Sequence, residues 1–326
     1  YDTNKRVVNN GKINLGNQEQ HFFGQHRSGW KDAVKCLMCI NNTEGIYFDT
    51  YIEKTFGWNP EGLKVHQFPW IGITHVPPRT PRWYFYEQSN EIVYNSKEFQ
   101  KSLKHCRGIF TLSYYHQKSL EKKLNIPVNH LLHPTKNSMV KWEFSRFQNN
   151  GEKKILHIGF WLRRLHSIYL LPKTRYQKMI IRKQNHNYEY LLNLEIKNEY
   201  KEYDLDPQIY DTVYTEMYLN NETYDKILSE NIVFIHLYDA SANNTILECI
   251  VRGTPVLVNP LPSVKEYLGE SYPFYFESLA EAAAKAEDME LIAKTNNYLR
   301  DNPIKRKLTC KYFLKSFMNS NIYKSI

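Results

Sequence analysis

Residues Tyr238 to Gly269 read Y-D-A-S-A-N-N-T-I-L-E-C-I-V-R-G-T-P-V-L-V-N-P-L-P-S-V-K-E-Y-L-G. This order predicts the end of a strand, a polar loop, a helix from about Thr245, a tight turn at Gly253 and a second strand. The N-terminus of a helix presents free backbone N–H groups and a partial positive charge, which favour an anion such as a phosphate. Glu248 lies one turn into the helix, where a carboxylate can accept hydrogen bonds from a ribose. The stretch therefore predicts an α/β domain that holds a nucleotide.

The same residues also have a purely structural interpretation. Thr245-Ile-Leu-Glu248 fits the capping box, in which the two polar side chains satisfy the first free N–H groups of a helix. Spacing alone does not choose between the cap and the ligand site, because N–H groups beside a cap stay available to a phosphate.

Length and charge favour a two-domain protein with anionic partners. The chain has 326 residues, 42% of them hydrophobic, which is enough for two cores, and no apolar run approaches the about 20 residues of a membrane-spanning helix. The net charge of +9 favours nucleotide diphosphates, acidic glycans or peripheral association with an anionic membrane. Dense basic blocks with interleaved aromatics are missing, so we expect no nucleic-acid partner. Because the chain starts without Met, we expect one domain or fragment of a larger chain.

The five cysteines form an odd, sparse set, which fits a reducing, cytoplasmic compartment better than a disulfide framework. Cys36 and Cys39 have C-x-x-C spacing inside an apolar helical run, but no second pair follows at zinc-finger spacing. We therefore expect buried small side chains, and neither a metal nor a cofactor.

Two α/β series follow one another along the chain. A strand at 109–112, a helix from Tyr114 with Ser113 as its N-cap, and a strand at 128–132 make a strand-helix-strand unit, which implies parallel pairing. A second series opens with a strand at 154–159. We expect an N-terminal domain at 1–140, a second domain at 151–300 and a C-terminal helical segment at 301–326 that packs back on the first.

The stretch 231–269 resembles the donor motif of the GT-B glycosyltransferases, in the superfamily that carries E-x7-E followed by a G-T-P-V turn. Glu248 matches the second Glu of that motif, which in the family binds the donor ribose, and residues 253–256 match the turn. Ala240 stands at the place of the first Glu, with Asp239 one position earlier. The resemblance implies an α/β GT-B fold, with two Rossmann-like domains facing across a cleft. It also implies a metal-independent glycosyltransferase that moves a sugar from a nucleotide-diphosphate donor to a hydroxyl of a glycan, lipid-linked or protein-linked acceptor.

The resemblance also assigns residues on the donor side. Arg163 and Arg164 follow the strand at 154–159, where relatives place basic side chains on the diphosphate and where a cation can stabilise the leaving nucleotide. The complete donor-binding set is Arg163, Arg164, Tyr238, Ser241, Asn243, Asn244, Thr245 and Glu248.

The catalytic and acceptor candidates include residues of the first series. The catalytic candidates are His75, Arg163 and Glu248. His75 follows a predicted strand and precedes two prolines, and it can hydrogen-bond a sugar, act as a base, or be a structural loop residue. The acceptor or cleft candidates are Gly24, His26, Arg27, Asp49 and Glu266.

Two other functions compete with this one. A nucleotide-sugar epimerase or dehydrogenase would carry G-x-G-x-x-G after an early strand, and the chain does not. A non-catalytic glycan- or nucleotide-binding domain of a larger multidomain protein gains support from the missing first Glu. Asp204-Leu-Asp206 has the D-x-D spelling that holds a metal in GT-A enzymes, but it precedes Pro207 in a polar stretch, and we interpret it as a solvated loop.

Overall fold

A computed structural model describes most of the chain, and within it the chain divides into two compact units. The described residues are 11–17, 29–59, 61–137, 140–182, 187–203, 206–217 and 219–326. The first unit contains 1–78, 87–134 and 307–326, and the second contains 79–86 and 135–306. Within the described ranges, no helix is long and apolar enough to cross a membrane, and no three His, Cys, Asp or Glu side chains are grouped to hold a metal.

The first unit is built on a parallel sheet of five strands in the order β1-β2-β3-β4-β5. The strands are β1 (Ile13–Asn14), β2 (Ile46–Asp49), β3 (Trp70–Ile73), β4 (Cys106–Thr111) and β5 (Val128–His130). Strand β3 is buried along its whole length, as expected for an apolar run in a sheet covered on both faces.

The second unit is built on another parallel sheet of five strands, in the order β10-β9-β6-β7-β8. Its strands are β6 (Lys154–Ile158), β7 (Gln177–Arg182), β8 (Val213–Met217), β9 (Ile232–Ile235) and β10 (Val256–Val258). The chain leaves β6 toward β7 on one side and returns to β9 on the other. This reversal of strand order leaves a crevice at the carboxyl ends of β6 and β9, where such sheets bind ligands.

The helices follow the sequence signals for starts and stops. Ser113 caps its helix by accepting a hydrogen bond from the backbone N–H of His116, which confirms the predicted N-cap. In chain order the helices are α1 (Trp30–Leu37), α2 (Asn90–Asn95), α3 (Lys97–Leu103), α4 (Tyr114–Glu121), α5 (Phe144–Asn149), α6 (Ser167–Leu170), α7 (Asn187–Glu199), α8 (Asn221–Glu230), α9 (Asn244–Arg252), α10 (Pro262–Leu268), α11 (Leu279–Glu287), α12 (Met289–Asp301), α13 (Cys310–Asn319) and α14 (Asn321–Ser325). Shorter turns are the 3₁₀ segments Met38–Ile40, Tyr86–Gln88, Pro207–Thr212 and Pro303–Lys307 and the π-turn Lys54–Trp58.

The cysteines do not follow the expectation from the sequence. Cys36 and Cys310 form a disulfide, with their Cα atoms 5.5 Å apart, while Cys39 is free and exposed. Helices α1 and α13 pack together, and this brings together two cysteines that are 274 residues apart in the chain. Sequence spacing cannot reveal such a pair, so the prediction was wrong for the pairing of Cys36 and for the burial of Cys39, whereas Cys106 and Cys249 are free and buried. The cysteines therefore no longer support a reducing, cytoplasmic compartment.

Candidate functional site

Two loops of the second unit meet at the carboxyl ends of β6 and β9. The loop after β6 and the loop after β9 pair through an antiparallel bridge between Arg163 and Leu237. The backbone N–H of Arg164 donates to the carbonyl of His236 at 2.7 Å, and that of Tyr238 donates to the carbonyl of Leu162 at 3.0 Å. Arg163, Arg164 and Tyr238 of the predicted donor side therefore lie on one short ribbon.

Helix α9 follows this ribbon after a short loop and begins one residue earlier than predicted. Its N-cap is Asn243, whose side chain accepts a hydrogen bond from the backbone N–H of Ile246. The capping box with Thr245 as the cap was therefore wrong, because Asn243 takes that position and Thr245 lies in the first turn. The predicted turn at Gly253 is confirmed, since this residue ends the helix in the left-handed conformation with φ of 82°.

Arg163 is held beside the first turn of α9. Its side chain donates to the Thr245 hydroxyl at 3.0 Å and to the Trp161 carbonyl at 2.8 Å, and the residue is 7% exposed. Burial lowers the pKa of Arg163 to about 10, so the guanidinium keeps its charge at neutral pH. Gly159 lies against it: φ is +77° there, and an added Cβ would be 3.2 Å from the guanidinium. A fixed cation and a helix N-terminus thus occur together.

Arg164 and Tyr238 lie on the same ribbon and are joined to α7. The Arg164 guanidinium lies 4.3 Å from the centre of the Tyr238 ring and 2.7 Å from a carboxylate oxygen of Glu199. The Tyr238 hydroxyl donates to Glu195 at 3.0 Å, and burial raises the pKa of that carboxyl to about 7. The sequence analysis missed both glutamates. The signal that could have found them is their spacing of four on one helix, which places them on the same face.

Glu248 is buried within α9 with 4% of its surface exposed. Its carboxylate accepts a hydrogen bond of 2.8 Å from the hydroxyl of Tyr224 on α8. Burial raises the pKa of Tyr224 well above its usual value, and the nearby Glu248 carboxylate adds to this effect. The phenol therefore stays protonated and donates. Tyr224 was another residue that the sequence did not indicate, because it precedes the motif by a whole strand.

The remaining loop candidates lie around α9. Ser241 is buried and Asn244 is half-buried at the helix start, while Glu266 is half-buried on α10, after β10. Asp239, the displaced acid of the motif, is 3% exposed, and its carboxylate accepts from the backbone N–H of Arg79 at 2.9 Å. A segment distant in sequence therefore holds this carboxylate.

Two described candidates of the first unit, Asp49 and His75, lie at the carboxyl edge of its sheet. Asp49 is 1% exposed and bonded to His66 at 2.9 Å, which makes it an interior group. His75 is half-buried, and its Nε2 lies 3.0 Å from the carbonyl of Thr50, which assigns the ring proton to Nε2 and leaves Nδ1 as an acceptor. Burial lowers the pKa of His75 to about 3, so the ring is neutral at pH 7. The ring is therefore suited to hydrogen bonding rather than to work as a strong base.

Several candidates fall outside the described residues, namely Gly24, His26, Arg27 and Asp204. Asp206, the second acid of the D-x-D spelling, is exposed and accepts a hydrogen bond from the backbone N–H of Gln208 at 2.9 Å. This contact caps the 3₁₀ turn that follows, as expected for a solvated loop.

No family model matches this chain, and no curated protein does. Solved structures do match. A sucrose-phosphate synthase from Thermosynechococcus elongatus has a TM-score of 0.60 at 13% identity, over 86% of this chain and 73% of that one. A mutant of S. aureus TarM, in complex with fondaparinux, α-GlcNAc-glycerol and UDP, has a TM-score of 0.58 at 13% identity. The alignment covers 89% of this chain but only 58% of TarM. Trehalose-6-phosphate synthase OtsA has a TM-score of 0.56 at 10% identity, over 90% of this chain and 76% of that one.

Because the sequence identities to these structures are only 10–13%, the likeness establishes the fold alone. The chain has the α/β fold of the GT-B glycosyltransferases, as the motif around Glu248 predicted.

Proposed function

We propose that this protein is a glycosyltransferase that uses a nucleotide-diphosphate sugar as its donor. The proposal depends on one observation in the second unit: a buried, charged Arg163 is bonded to the first turn of α9, and Glu248 lies one turn further along that helix. The guanidinium and the helix N-terminus offer complementary charge to a diphosphate. The Glu248 carboxylate offers an acceptor to the ribose hydroxyls.

The chemistry follows from where charge develops. When the bond between the sugar and the diphosphate breaks, the leaving nucleotide gains negative charge. Arg163 needs little reorganisation to meet that charge, because Thr245 and the Trp161 carbonyl already hold its guanidinium. In this proposal the arginine and the helix terminus do the work of a metal, so transfer proceeds without one.

We assign acceptor recognition to the first unit, where His75 offers Nδ1 to a sugar hydroxyl. The ring is fixed in place by Tyr51, which stacks on it at 4.5 Å, and by the hydrogen bond to Thr50. A neutral imidazole with an assigned donor and acceptor can orient a hydroxyl for attack. The acceptor in this proposal is a glycan or glycoconjugate.

The first test is a nucleotide panel. UDP, GDP, ADP and CDP would be titrated by calorimetry into the wild type, Arg163→Ala and the matched control Arg175→Ala, an arginine of the same unit that is more exposed. We expect one nucleotide to bind the wild type. Its affinity should fall at least about tenfold in Arg163→Ala, because hydrogen bonds to charged groups contribute about 1.5–3 kcal/mol. Its affinity for the control should equal that for the wild type. Absence of binding, or equal affinities in all three proteins, would refute the donor site.

A second candidate function is a non-catalytic binding domain, favoured by Ala240 at the place of the family's first Glu. Prolonged incubation with the matching nucleotide sugars separates the two, with free nucleotide measured by chromatography. Slow release of nucleotide, lost in Arg163→Ala, favours the transferase. Tight binding without any release favours the binding domain.

A further inference from the structure

The segment 79–86 extends the candidate donor site of the second unit. It is anchored to the two site loops by the Asp239 contact of Arg79 and by the Tyr84 hydroxyl, which donates to the Phe160 carbonyl and accepts from the backbone N–H of Leu162. The two loops and this segment therefore form one assembly, although the segment lies far from both loops in sequence.

Backbone strain is concentrated in this assembly. Among the described residues, Phe85 and Leu162 are the non-glycine residues with positive φ, at 34° and 51°. Bulky side chains are disfavoured in that region, and such strain persists where the surroundings impose it, often at binding sites. Both residues adjoin Tyr84 through sequence or hydrogen bonding, so the strain belongs to a single structural feature.

Next to this strained backbone lies a row of stacked rings, which we call the aromatic platform: Trp161, Phe85 and Tyr190. The Phe85 ring lies between the other two, 5.9 Å from each, with interplanar angles of 10° to Trp161 and 29° to Tyr190. Tyr190, on α7, is 53% exposed and ends the row. An exposed ring at the end of a stack is a ready surface for another flat, partly apolar ring.

The position of the platform selects the kind of ring. A nucleotide sugar has the linear order base, ribose, diphosphate, sugar. In the proposed site Glu248 takes the ribose and Arg163 the diphosphate, and the Trp161 carbonyl accepts directly from Arg163 at 2.8 Å. The row therefore starts at a residue whose backbone contacts the arginine assigned to the diphosphate rather than the carboxylate assigned to the ribose, and we place it toward the sugar end of the donor. The C–H face of a pyranose can pack on an aromatic ring.

We propose that the aromatic platform binds a pyranose ring at the sugar end of the donor site. This inference rests on the proposed function for its orientation. The ring can belong either to the donor or to the acceptor glycan, and the affinities below separate these two sources.

The test compares wild type, Tyr190→Ala, Tyr190→Phe and the control Tyr214→Ala, a tyrosine of β8 that is 50% exposed. Each full chain would be titrated with UDP, with UDP-glucose and UDP-N-acetylglucosamine, and with the strongest ligand from a glycan array. We expect Tyr190→Ala to weaken sugar binding by about 2- to 10-fold, which is the effect of an aromatic contact of about 0.5–1.5 kcal/mol. Tyr190→Phe and Tyr214→Ala should bind as the wild type does.

The pattern of losses decides the outcome. A loss for the UDP-sugar but not for UDP assigns the platform to the donor sugar, and a loss confined to the glycan assigns it to the acceptor. An equal loss for UDP itself would overturn the inference, because the platform would then hold the base. The inference would also be overturned if Tyr190→Ala bound every ligand as the wild type does. The same holds if the array showed no bound glycan and UDP-sugar binding were unchanged. If none of UDP, GDP, ADP and CDP binds any variant while a glycan still depends on Tyr190, the platform stands and the donor proposal fails.

Discussion

Removal of the Glu248 carboxylate tests the nucleotide site most directly. This carboxylate accepts a hydrogen bond from the Tyr224 hydroxyl at 2.8 Å, and we expect it to accept another from the ribose. Hydrogen bonds to a charged acceptor contribute about 1.5–3 kcal/mol. Glu248→Ala should therefore lower the affinity for the nucleotide diphosphate by about 10- to 150-fold at 25 °C.

The same substitution leaves the half-buried Tyr224 hydroxyl without this acceptor, which costs about 1 kcal/mol of folding free energy. The double variant Glu248→Ala/Tyr224→Phe removes that penalty, so binding can be measured on a stable protein. Tyr224→Phe alone keeps the carboxylate and should bind the nucleotide within about threefold of wild type, since a neutral hydrogen bond contributes only about 1 kcal/mol.

Calorimetry with the nucleotide diphosphate that binds in the panel, for example UDP, and with its 2′-deoxy form completes the experiment. Wild type should prefer UDP, and the double variant should not distinguish the two, because the group that reads the ribose is gone. A folded double variant that binds UDP as tightly as wild type and still prefers UDP would refute the assignment of Glu248.

Three further predictions concern the frame of the site and the stability of the chain. Gly159→Ala should lower nucleotide affinity and cost about 1–2 kcal/mol, because its φ is positive and the new methyl would lie 3.2 Å from Arg163; denaturation and calorimetry measure both, and a neutral outcome contradicts the packing. Cys310→Ser should destabilise the non-reduced protein by about 2–5 kcal/mol, whereas Cys39→Ser should not; equal stabilities would contradict the disulfide. Stability should fall as the pH is lowered from 7 to 5, because burial lowers the pKa of six histidines to about 3 or 4 and the unfolded chain therefore binds more protons than the folded one. Urea midpoints that rise on acidification would contradict this prediction. These histidines are His75, His116, His133, His157, His166 and His236. The raised pKa of about 7 for Glu53 and Glu195 acts in the opposite direction, since a raised carboxyl pKa stabilises the fold as pH falls through 7, but two groups oppose six.

The sequence predicts those features whose signals are local. The turn at Gly253, the cap at Ser113 and the parallel pairing follow from neighbouring residues, and the fold follows from the motif around Glu248. The first residue of α9 was placed one position late, because Asn243 and Thr245 are both good caps and only the backbone geometry selects Asn243.

Contacts between distant segments were beyond the reach of sequence patterns. Glu195 reaches Tyr238 from a helix 43 residues earlier, and Tyr224 reaches Glu248 across a strand. The Cys36–Cys310 disulfide and the attachment of 79–86 to the second unit belong to the same category. None of these pairs has a spacing that identifies it, because each depends on how whole elements pack.

The attachment of 79–86 bears on the missing Glu of the motif. In the family the first Glu and the second stand on one loop-helix unit, so local sequence alone sets their separation. Here the nearest acid, Asp239, is one residue out of place, and its carboxylate is fixed by the backbone N–H of Arg79. The same segment fixes Leu162 beside Arg163 through the Tyr84 hydroxyl at 2.6 Å. The acid and the arginine of the site are thus positioned relative to one another by a shared support from outside the motif. We therefore expect the segment 79–86, rather than the spacing of the motif, to hold Asp239 in place in the proposed site.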